Sequence, residues 1–167
     1  MGETKQLVKD EAVQMITKIA KDEIAMLCTF AAAHSLGARP MGTAGIDSDG
    51  TLWFMSSRDS EKNREIQANP KVHLLYSKPS KSEYMLIEGM ASIVNDRWKI
   101  EELWSPLAKA WFTEGKSDPR ITLLRVVPVR GHYWDTKHNR AVQLLEIAVG
   151  ALVGKAFDDG VQGELRV

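Results

Sequence analysis

Residues 39–66 read RPMGTAGIDSDGTLWFMSSRDSEKNREI, and this stretch decides the fold. It contains two runs of strand-like composition, residues 40–47 and 51–57, separated by Ser48-Asp49-Gly50. An Asp-Gly pair readily supplies the positive φ that a tight turn between antiparallel strands needs. The sequence therefore predicts a β-hairpin, and antiparallel pairing would place residues 40 and 57 at the same end of the sheet.

A short helix is predicted directly after the hairpin. Asp59 or Ser60 can cap its N-terminus, and it should end at Asn69 because Pro70 disfavours helical geometry in the preceding residue. Its first turns carry basic side chains, which repel the partial positive charge of a helix N-terminus unless an anion binds there.

Backbone N–H groups, hydroxyls and cations that converge at one point are typical of a phosphate site. The candidate residues from both sides of the hairpin are Arg39, Ser56, Ser57, Arg58, Lys62 and Arg64. The alternative is a solvated basic loop and helix, and spacing alone leaves both interpretations open.

The rest of the chain predicts a sheet with helices at its ends. Apolar residues at helical spacing indicate an opening helix from Thr4 to Lys21 and an apolar helix over 141–154 that suggests an oligomer contact. Strands are predicted at 24–30, 71–77, 83–94, 120–128 and 131–135, with a bulge or bend at Gly89, and a helical pair begins at residues 95–96 and 105–106. Tight turns between strands, without a G-x-G-x-x-G motif, favour a mainly β (α+β) antiparallel barrel in one domain, residues 1–167.

Composition narrows the class of protein. The chain of 167 residues has 22 Lys and Arg against 22 Asp and Glu, which argues against a broad surface for nucleic acid or an anionic membrane. One cysteine, Cys28, provides no disulfide framework, and four scattered histidines indicate no metal site. No secretory signal is recognisable, and the apolar run at 141–154 is too short to span a bilayer, so we expect a soluble, cytoplasmic protein.

Aromatic residues offer a second candidate site. Most of the five tryptophans can be explained by core packing. Trp111, before the loop Gly115 to Pro119, and Trp134, at a strand end, are the better candidates to line a flat aromatic ligand. No nucleophile triad or acid–base pair is recognisable, so no catalytic residue is assigned.

Several motifs, in their order and spacing, resemble the pyridoxamine 5′-phosphate oxidase-like FMN-binding split barrels. They are Arg39-Pro40-Met41, Leu52-Trp53-Phe54-Met55-Ser56-Ser57, Lys62 with Ile66, and Asn69-Pro70-Lys71-Val72. A second set, similar to the general stress protein 26 branch, comprises Trp104-Ser105-Pro106, Trp111-Phe112, Gly115-Lys116, Asp118-Pro119, Leu124-Arg125-Val126 and Tyr133-Trp134-Asp135. The resemblance covers about residues 8–157.

The resemblance implies a six-stranded antiparallel split β-barrel with flanking helices, a homodimer, and FMN in clefts at the dimer interface. The FMN phosphate would be held by Arg39, Lys62, Ser56 and Ser57. The residues implied to face the flavin are Pro40, Met41, Phe54 and Met55, with Trp111 and Trp134 near the ring from either chain.

The implied function is that of an FMN-dependent oxidoreductase with a stress-response role, whose electron donor and acceptor the sequence does not specify. Two alternatives stay open: a non-catalytic protein that sequesters or senses flavin, and a split barrel that binds the deazaflavin F420 or haem. True pyridoxamine phosphate oxidases end in an Arg-Leu-His-Asp-Arg type segment, whereas this chain continues from Asp135 as Thr-Lys-His-Asn-Arg. Oxidation of vitamin B6 is therefore not expected. The loop over residues 31–38 is longer than in the family and would reshape one wall of the cleft.

Overall fold

The computed structural model describes residues 3–7, 9–30, 35–136 and 160–166. Its strands are β1 (Glu3–Leu7), β2 (Ile24–Phe30), β3 (Leu36–Gly42), β4 (Gly45–Ile46), β5 (Leu52–Ser57), β6 (Lys71–Lys78), β7 (Glu83–Val94), β8 (Ile121–Thr136) and β9 (Gly160–Arg166). The helices are α1 (Lys9–Ala20), α2 (Glu61–Ala68) and α3 (Arg97–Leu103), with 3₁₀ segments at Pro106–Ala110 and Gly115–Ser117.

Six of the described strands form the predicted antiparallel split barrel. They follow the order β3-β2-β6-β7-β8-β5, and β3 lies next to β5, so the sheet curls back on itself. β8 is the longest strand, and it uses one edge for two partners: its first half pairs with β5 and its second half pairs with β9. β1 adds to β9 in parallel, and the two-residue β4 adds to β5.

Two apolar clusters lie on opposite sides of the sheet. The larger fills the barrel, where Ile16 and Ile19 of α1 pack with residues such as Leu27, Phe54 and Ile87. The second cluster lies beneath α3 and the first 3₁₀ segment and comprises Trp53, Ile100, Ala108, Phe112, Ile121 and Leu123. β5 and the first half of β8 are covered on both faces, which explains why LWFMSS shows little polar alternation.

Most predicted elements between residues 9 and 110 are confirmed. α2 ends at Ala68 with Asn69 as its C-cap, and β7 spans the predicted residues. Asp96 caps α3, since its carboxylate accepts hydrogen bonds from the backbone N–H groups of residues 98 and 99. Pro106 lies at the start of the first 3₁₀ segment.

The predicted hairpin is only partly correct. The turn is present, with Gly50 at φ 86°, but only Gly45 and Ile46 pair with β5. β3 pairs with β2 instead, so Pro40 lies opposite Met26. The chain leaves one ladder for the other at residues 43–44, whose N–H groups donate to the carbonyls of residues 23 and 53.

Residues 40 and 57 therefore do not lie in one hairpin ladder, which was the reason for expecting them at the same end of the sheet. Ser57 lies opposite Ile121 on β8, whereas Pro40 belongs to the ladder between β3 and β2. A run of residues that reads as one strand in sequence is divided between two ladders, and composition does not reveal such a division.

Two further boundaries differ from the prediction. Residues 4–7 form β1 rather than the first turn of a helix, because they pair with β9, more than 150 residues further along the chain. The two strands predicted at 120–128 and 131–135 are one strand, β8. Val129 is the extra residue of a bulge, since Gly89 faces Pro128 and Glu88 faces Arg130, which confirms the irregularity predicted at Gly89.

Other predictions concern residues that the structure does not describe, or residues next to them. The helix over 141–154 lies outside the described residues, as do residues 31–34 of the predicted loop. The predicted end of that loop is wrong, because Leu36 to Ala38 already belong to β3. None of the described helices has both the length and the apolarity needed to cross a bilayer.

Candidate functional site

Arg39 is held by two side chains that the sequence did not single out. Its Nη2 donates to Oε2 of Glu65 at 2.8 Å, and its Nη1 donates to the hydroxyl of Thr29. The Thr29 hydroxyl donates in turn to the same Glu65 oxygen. Because Thr29 is fully buried and Glu65 almost so, this triad joins β2, β3 and α2 in a fixed arrangement.

The protonation state of Glu65 follows from these contacts. The hydrogen bond from Thr29, together with the hydrogen bond and the charge of Arg39, holds the pKa of the Glu65 carboxyl below its usual range despite burial. Glu65 is therefore ionised at neutral pH, and it offsets one of the positive charges of the candidate site.

Lys62 lies in the first turn of the same helix and is half-buried. Within the described ranges, its ammonium has no hydrogen-bond or ion-pair partner. Burial and the nearby charge of Arg39 both lower the pKa of Lys62. The structure thus places Arg39 close enough to Lys62 for their charges to interact, and Arg39 reaches α2 through β2 and β3 rather than across the hairpin.

The two serines differ in their surroundings. The hydroxyl of Ser56 is buried and donates to Oδ1 of Asn63 at 2.7 Å, while the amide of Asn63 donates to Thr122 at 3.1 Å. This network fastens β5 and β8 to α2. Ser57 is half-buried, and its carbonyl accepts the backbone N–H of Ser60, which starts the turn into α2.

The remaining basic candidates fasten loops. A guanidinium nitrogen of Arg58 donates to the carbonyl of Pro119, and one of Arg64 donates to the carbonyl of Asp59 at 3.0 Å. Both arginines are exposed. Of the four cations near the start of α2, Arg39 and Lys62 are therefore the two that are partly enclosed by the fold.

The residues implied to face a flavin do not share one surface. Pro40 is exposed, Met41 is half-buried against the barrel core, and Phe54 is fully buried within that core. Met55 packs against the second apolar cluster.

Trp111 and Trp134 are both exposed, at 72% and 43% of their surface. Trp134 lines a shallow depression of about 210 Å³ on β8 and β9, together with His132 and Glu164. Ser57 faces the opposite end of β8, at Ile121. Within one chain, the structure does not bring Trp134 to the end of the sheet where α2 begins.

The outer face of the sheet carries an apolar band that sequence analysis also missed. Residues directly opposite each other across neighbouring strands share a face, and Pro40, Met26, Leu75 and Leu86 follow one another in this way across β3, β2, β6 and β7. Tyr84 and Trp134 continue the same face towards β8. The signal in the sequence is the run IAMLCTF, which is apolar on both faces of β2.

Neither Glu65 nor Thr29 could be assigned from the sequence. A glutamate inside a short helix normally indicates a solvated face, and a threonine at the end of an apolar strand normally indicates an edge. Their roles depend on where β3 pairs. Within the described ranges, no three His, Cys, Asp or Glu side chains lie close enough together to hold a metal ion.

Comparison with known proteins agrees with this architecture. A relative, protein bli-3 of Neurospora crassa, is 28% identical in an alignment of 127 residues, and the match covers 71% of this chain and 61% of that protein. The chain thus spans about six tenths of the length of this relative.

Two solved structures have the same fold. General stress protein 26 from Jannaschia sp. CCS1 superposes with a TM-score of 0.77 at 24% identity and covers 96% of this chain and 100% of that chain. The general stress FMN/FAD binding protein from Xanthomonas citri has a TM-score of 0.66 at 25% identity, over 79% of this chain and 93% of that one.

The model of one protein family matches residues 10–158, so that of the described strands only β1 and β9 lie outside the match. That span contains the split barrel, α2 with Lys62, and the strands that carry Arg39 and Trp134. General stress protein 26 from Jannaschia sp. CCS1 shares its fold, and by the match over residues 10–158 the chain belongs to the pyridoxamine 5′-phosphate oxidase-like family.

Proposed function

We propose that this protein is an FMN-binding flavoprotein, and that Arg39 and Lys62 hold the FMN phosphate. The observation that carries the proposal is the position of Lys62, a half-buried ammonium beside Arg39 with no carboxylate partner in the described part of the chain. Two neighbouring cations repel each other, and a phosphate between them would relieve that repulsion and the cost of burial.

The donor set fits a phosphate monoester. Arg39 keeps N–H groups that its contacts with Thr29 and Glu65 do not use, Lys62 offers three, and Ser57 adds a half-buried hydroxyl. Charge-assisted hydrogen bonds of this kind are roughly twice as strong as neutral ones. Ser56 supports the site indirectly, because its hydroxyl is engaged by Asn63.

The chain supplies position and charge, and the cofactor would supply the redox chemistry. FMN, when bound, carries electrons between a donor and an acceptor, which a protein without an acid–base pair can support. The residues of this chain would anchor the phosphate, fix the orientation of the ligand and exclude water from one side of it. On this basis we propose an oxidoreductase with a role in the stress response.

The absorbance spectrum of the purified protein, followed by titration with FMN and riboflavin, tests the proposal. We expect FMN to bind more tightly than riboflavin, which lacks the phosphate. Absence of binding to either flavin by the wild type would overturn the proposal. Equal FMN affinity in the wild type and in Arg39→Ala/Lys62→Ala would overturn the phosphate assignment alone. F420 and FAD serve as competitors that separate the cofactor classes.

We further propose a homodimer whose interface is the apolar band of β3, β2, β6 and β7. Met26 and Leu75 are neighbours in that band and are 42% and 44% exposed. A contiguous apolar patch of this kind is typical of a protein–protein interface. A partner chain would also explain how Trp134 or Trp111 can reach a flavin whose phosphate lies at α2.

Turnover separates the oxidoreductase from a protein that only sequesters or senses flavin. Stopped-flow mixing of the flavin-loaded protein with NADH or NADPH, followed by candidate acceptors, measures reduction and reoxidation of the bound flavin. Rapid cycling would support the oxidoreductase. A flavin that binds tightly but is not reduced by any donor would support sequestration or sensing.

A further inference from the structure

We propose that Glu65 is a positioning residue of the anion site: together with Thr29 it fixes the guanidinium of Arg39 so that the remaining N–H groups are directed to a phosphate. This inference rests on the proposed function. The inference goes beyond that function because it assigns a role to an acidic residue and to a strand threonine, neither of which is expected to contact an anion.

The geometry supports positioning rather than a simple ion pair. Glu65 Oε2 accepts from Arg39 and from Thr29, and the Thr29 hydroxyl accepts from the other terminal nitrogen of Arg39. The two terminal nitrogens of the guanidinium are thus held by two different side chains, which fixes the plane of the group as well as its place. A guanidinium has five N–H donors in a rigid fork, so three remain for a ligand.

The backbone leaves space for this arrangement at Gly37. Gly37 lies directly opposite Thr29 in the ladder between β2 and β3. A β-carbon at Gly37 would lie 2.7 Å from Nη2 of Arg39 and 3.0 Å from Oε1 of Glu65. A side chain at this position would therefore push the guanidinium out of the triad, which is a physical reason for glycine here.

The charges near the start of α2 give Arg39 and Lys62 different roles. The Arg39–Glu65 pair is neutral overall, so of the two partly enclosed cations Lys62 is the one whose charge no carboxylate of the described residues balances. In this arrangement, Lys62 supplies most of the electrostatic attraction for the anion and Arg39 supplies directed hydrogen bonds. Removal of Glu65 adds charge but releases Arg39, so a loss of phosphate affinity would identify positioning as its main role.

The experiment compares the affinity of each variant for FMN and for riboflavin, with tryptophan or flavin fluorescence as the readout. The dissociation constant for riboflavin divided by that for FMN is a ratio that isolates the phosphate contribution. We expect Glu65→Ala to lower this ratio about tenfold, the usual effect of losing one well-oriented charge-assisted hydrogen bond. Glu65→Gln should keep the ratio within about threefold of wild type, since its amide oxygen can accept the same two hydrogen bonds.

Three controls make the outcome decisive. Unchanged riboflavin affinity shows that each variant is folded. Glu65→Asp keeps the charge but cannot reach Arg39, so it should lower the ratio as Glu65→Ala does, and it replaces that variant if Glu65→Ala does not fold. Arg39→Ala combined with Glu65→Ala should lower the ratio no further than Arg39→Ala alone, because Glu65 acts through Arg39.

The inference would be overturned if Glu65→Ala and Glu65→Asp kept the wild-type ratio while Arg39→Ala lost it, or if the effects of Arg39→Ala and Glu65→Ala were fully additive. Failure of the wild type to bind FMN is a different result, and it would overturn the proposed function itself.

Discussion

Leu75→Glu, in the middle of the apolar band, should shift the proposed dimer towards the monomer. Leu75 is 44% exposed and lies between Met26 and Leu86 in neighbouring strands. Full burial of a leucine side chain contributes about 1.5–3 kcal/mol, so covering the exposed part contributes about 1 kcal/mol. A twofold axis doubles the loss to about 2 kcal/mol, or roughly 30-fold in the dimer dissociation constant.

The two glutamate carboxylates that the substitution introduces, one in each chain, increase this effect, because both charges would have to lose water without a partner. We therefore expect at least about a 30-fold weaker dimer. Sedimentation velocity over a series of protein concentrations measures the change. Leu107→Glu is the matched control, because Leu107 is 79% exposed on the 3₁₀ segment that covers β5 and β8, outside the apolar band, and should not alter association.

The result also tests how the dimer relates to the flavin site. If a partner chain completes the part of the site that surrounds the flavin ring, monomeric Leu75→Glu should bind FMN more weakly. Leu107→Glu should then match the wild type. An unchanged dimer dissociation constant in Leu75→Glu would refute the assignment of the apolar band as the interface. Equal weakening by both variants would show that the added charge, rather than its position, matters.

Three further predictions concern single sites. Lys62→Met should weaken FMN binding by about 10- to 100-fold, the usual cost of a lost charge-assisted hydrogen bond, without changing riboflavin affinity in the same titration. Gly131→Ala should destabilise the fold by about 1–3 kcal/mol in chemical denaturation, because its β-carbon would lie 2.5 Å from a backbone carbonyl of β7, whereas Gly42→Ala, with nothing within 4 Å, should not show that clash. The hydrogen bond from Arg120 lowers the pKa of the buried Asp118 carboxyl to about 2, so its stabilising contribution is present above about pH 4 and is lost as the pH falls towards 2. Asp118→Asn should therefore flatten this part of the acid dependence in thermal unfolding.

The local elements were predictable because their signals are local. Pro70 ends α2, Asp96 starts α3, and alternation defines β7, and each of these depends on a few neighbouring residues. The strand β1 had no such signal. Its residues take extended geometry because β9 pairs with them, which is a tertiary effect that outweighs a weak helical pattern.

The candidate site was predictable in its cations but not in its supports. Lys62 and Arg39 stood out because positive charge near a helix N-terminus requires an explanation. Glu65 and Thr29 carry no comparable signal, since their roles arise only when β3 pairs with β2. The error in the hairpin therefore joined Arg39 to the start of α2 through the wrong strands, since the contacts of Arg39 run to Thr29 of β2 and Glu65 of α2.

The parallel pair of β1 and β9 sets an order of assembly for the chain. Glu3 faces Val161, a separation of 158 residues (161 minus 3), and closing so large a loop costs more entropy than forming any neighbouring ladder. β9 itself pairs with β8, so β1 can join only after both strands are in place. We expect β1 to be the last strand to fold and the first to open, with its amide hydrogens exchanging well before those of β7, which is paired along both edges.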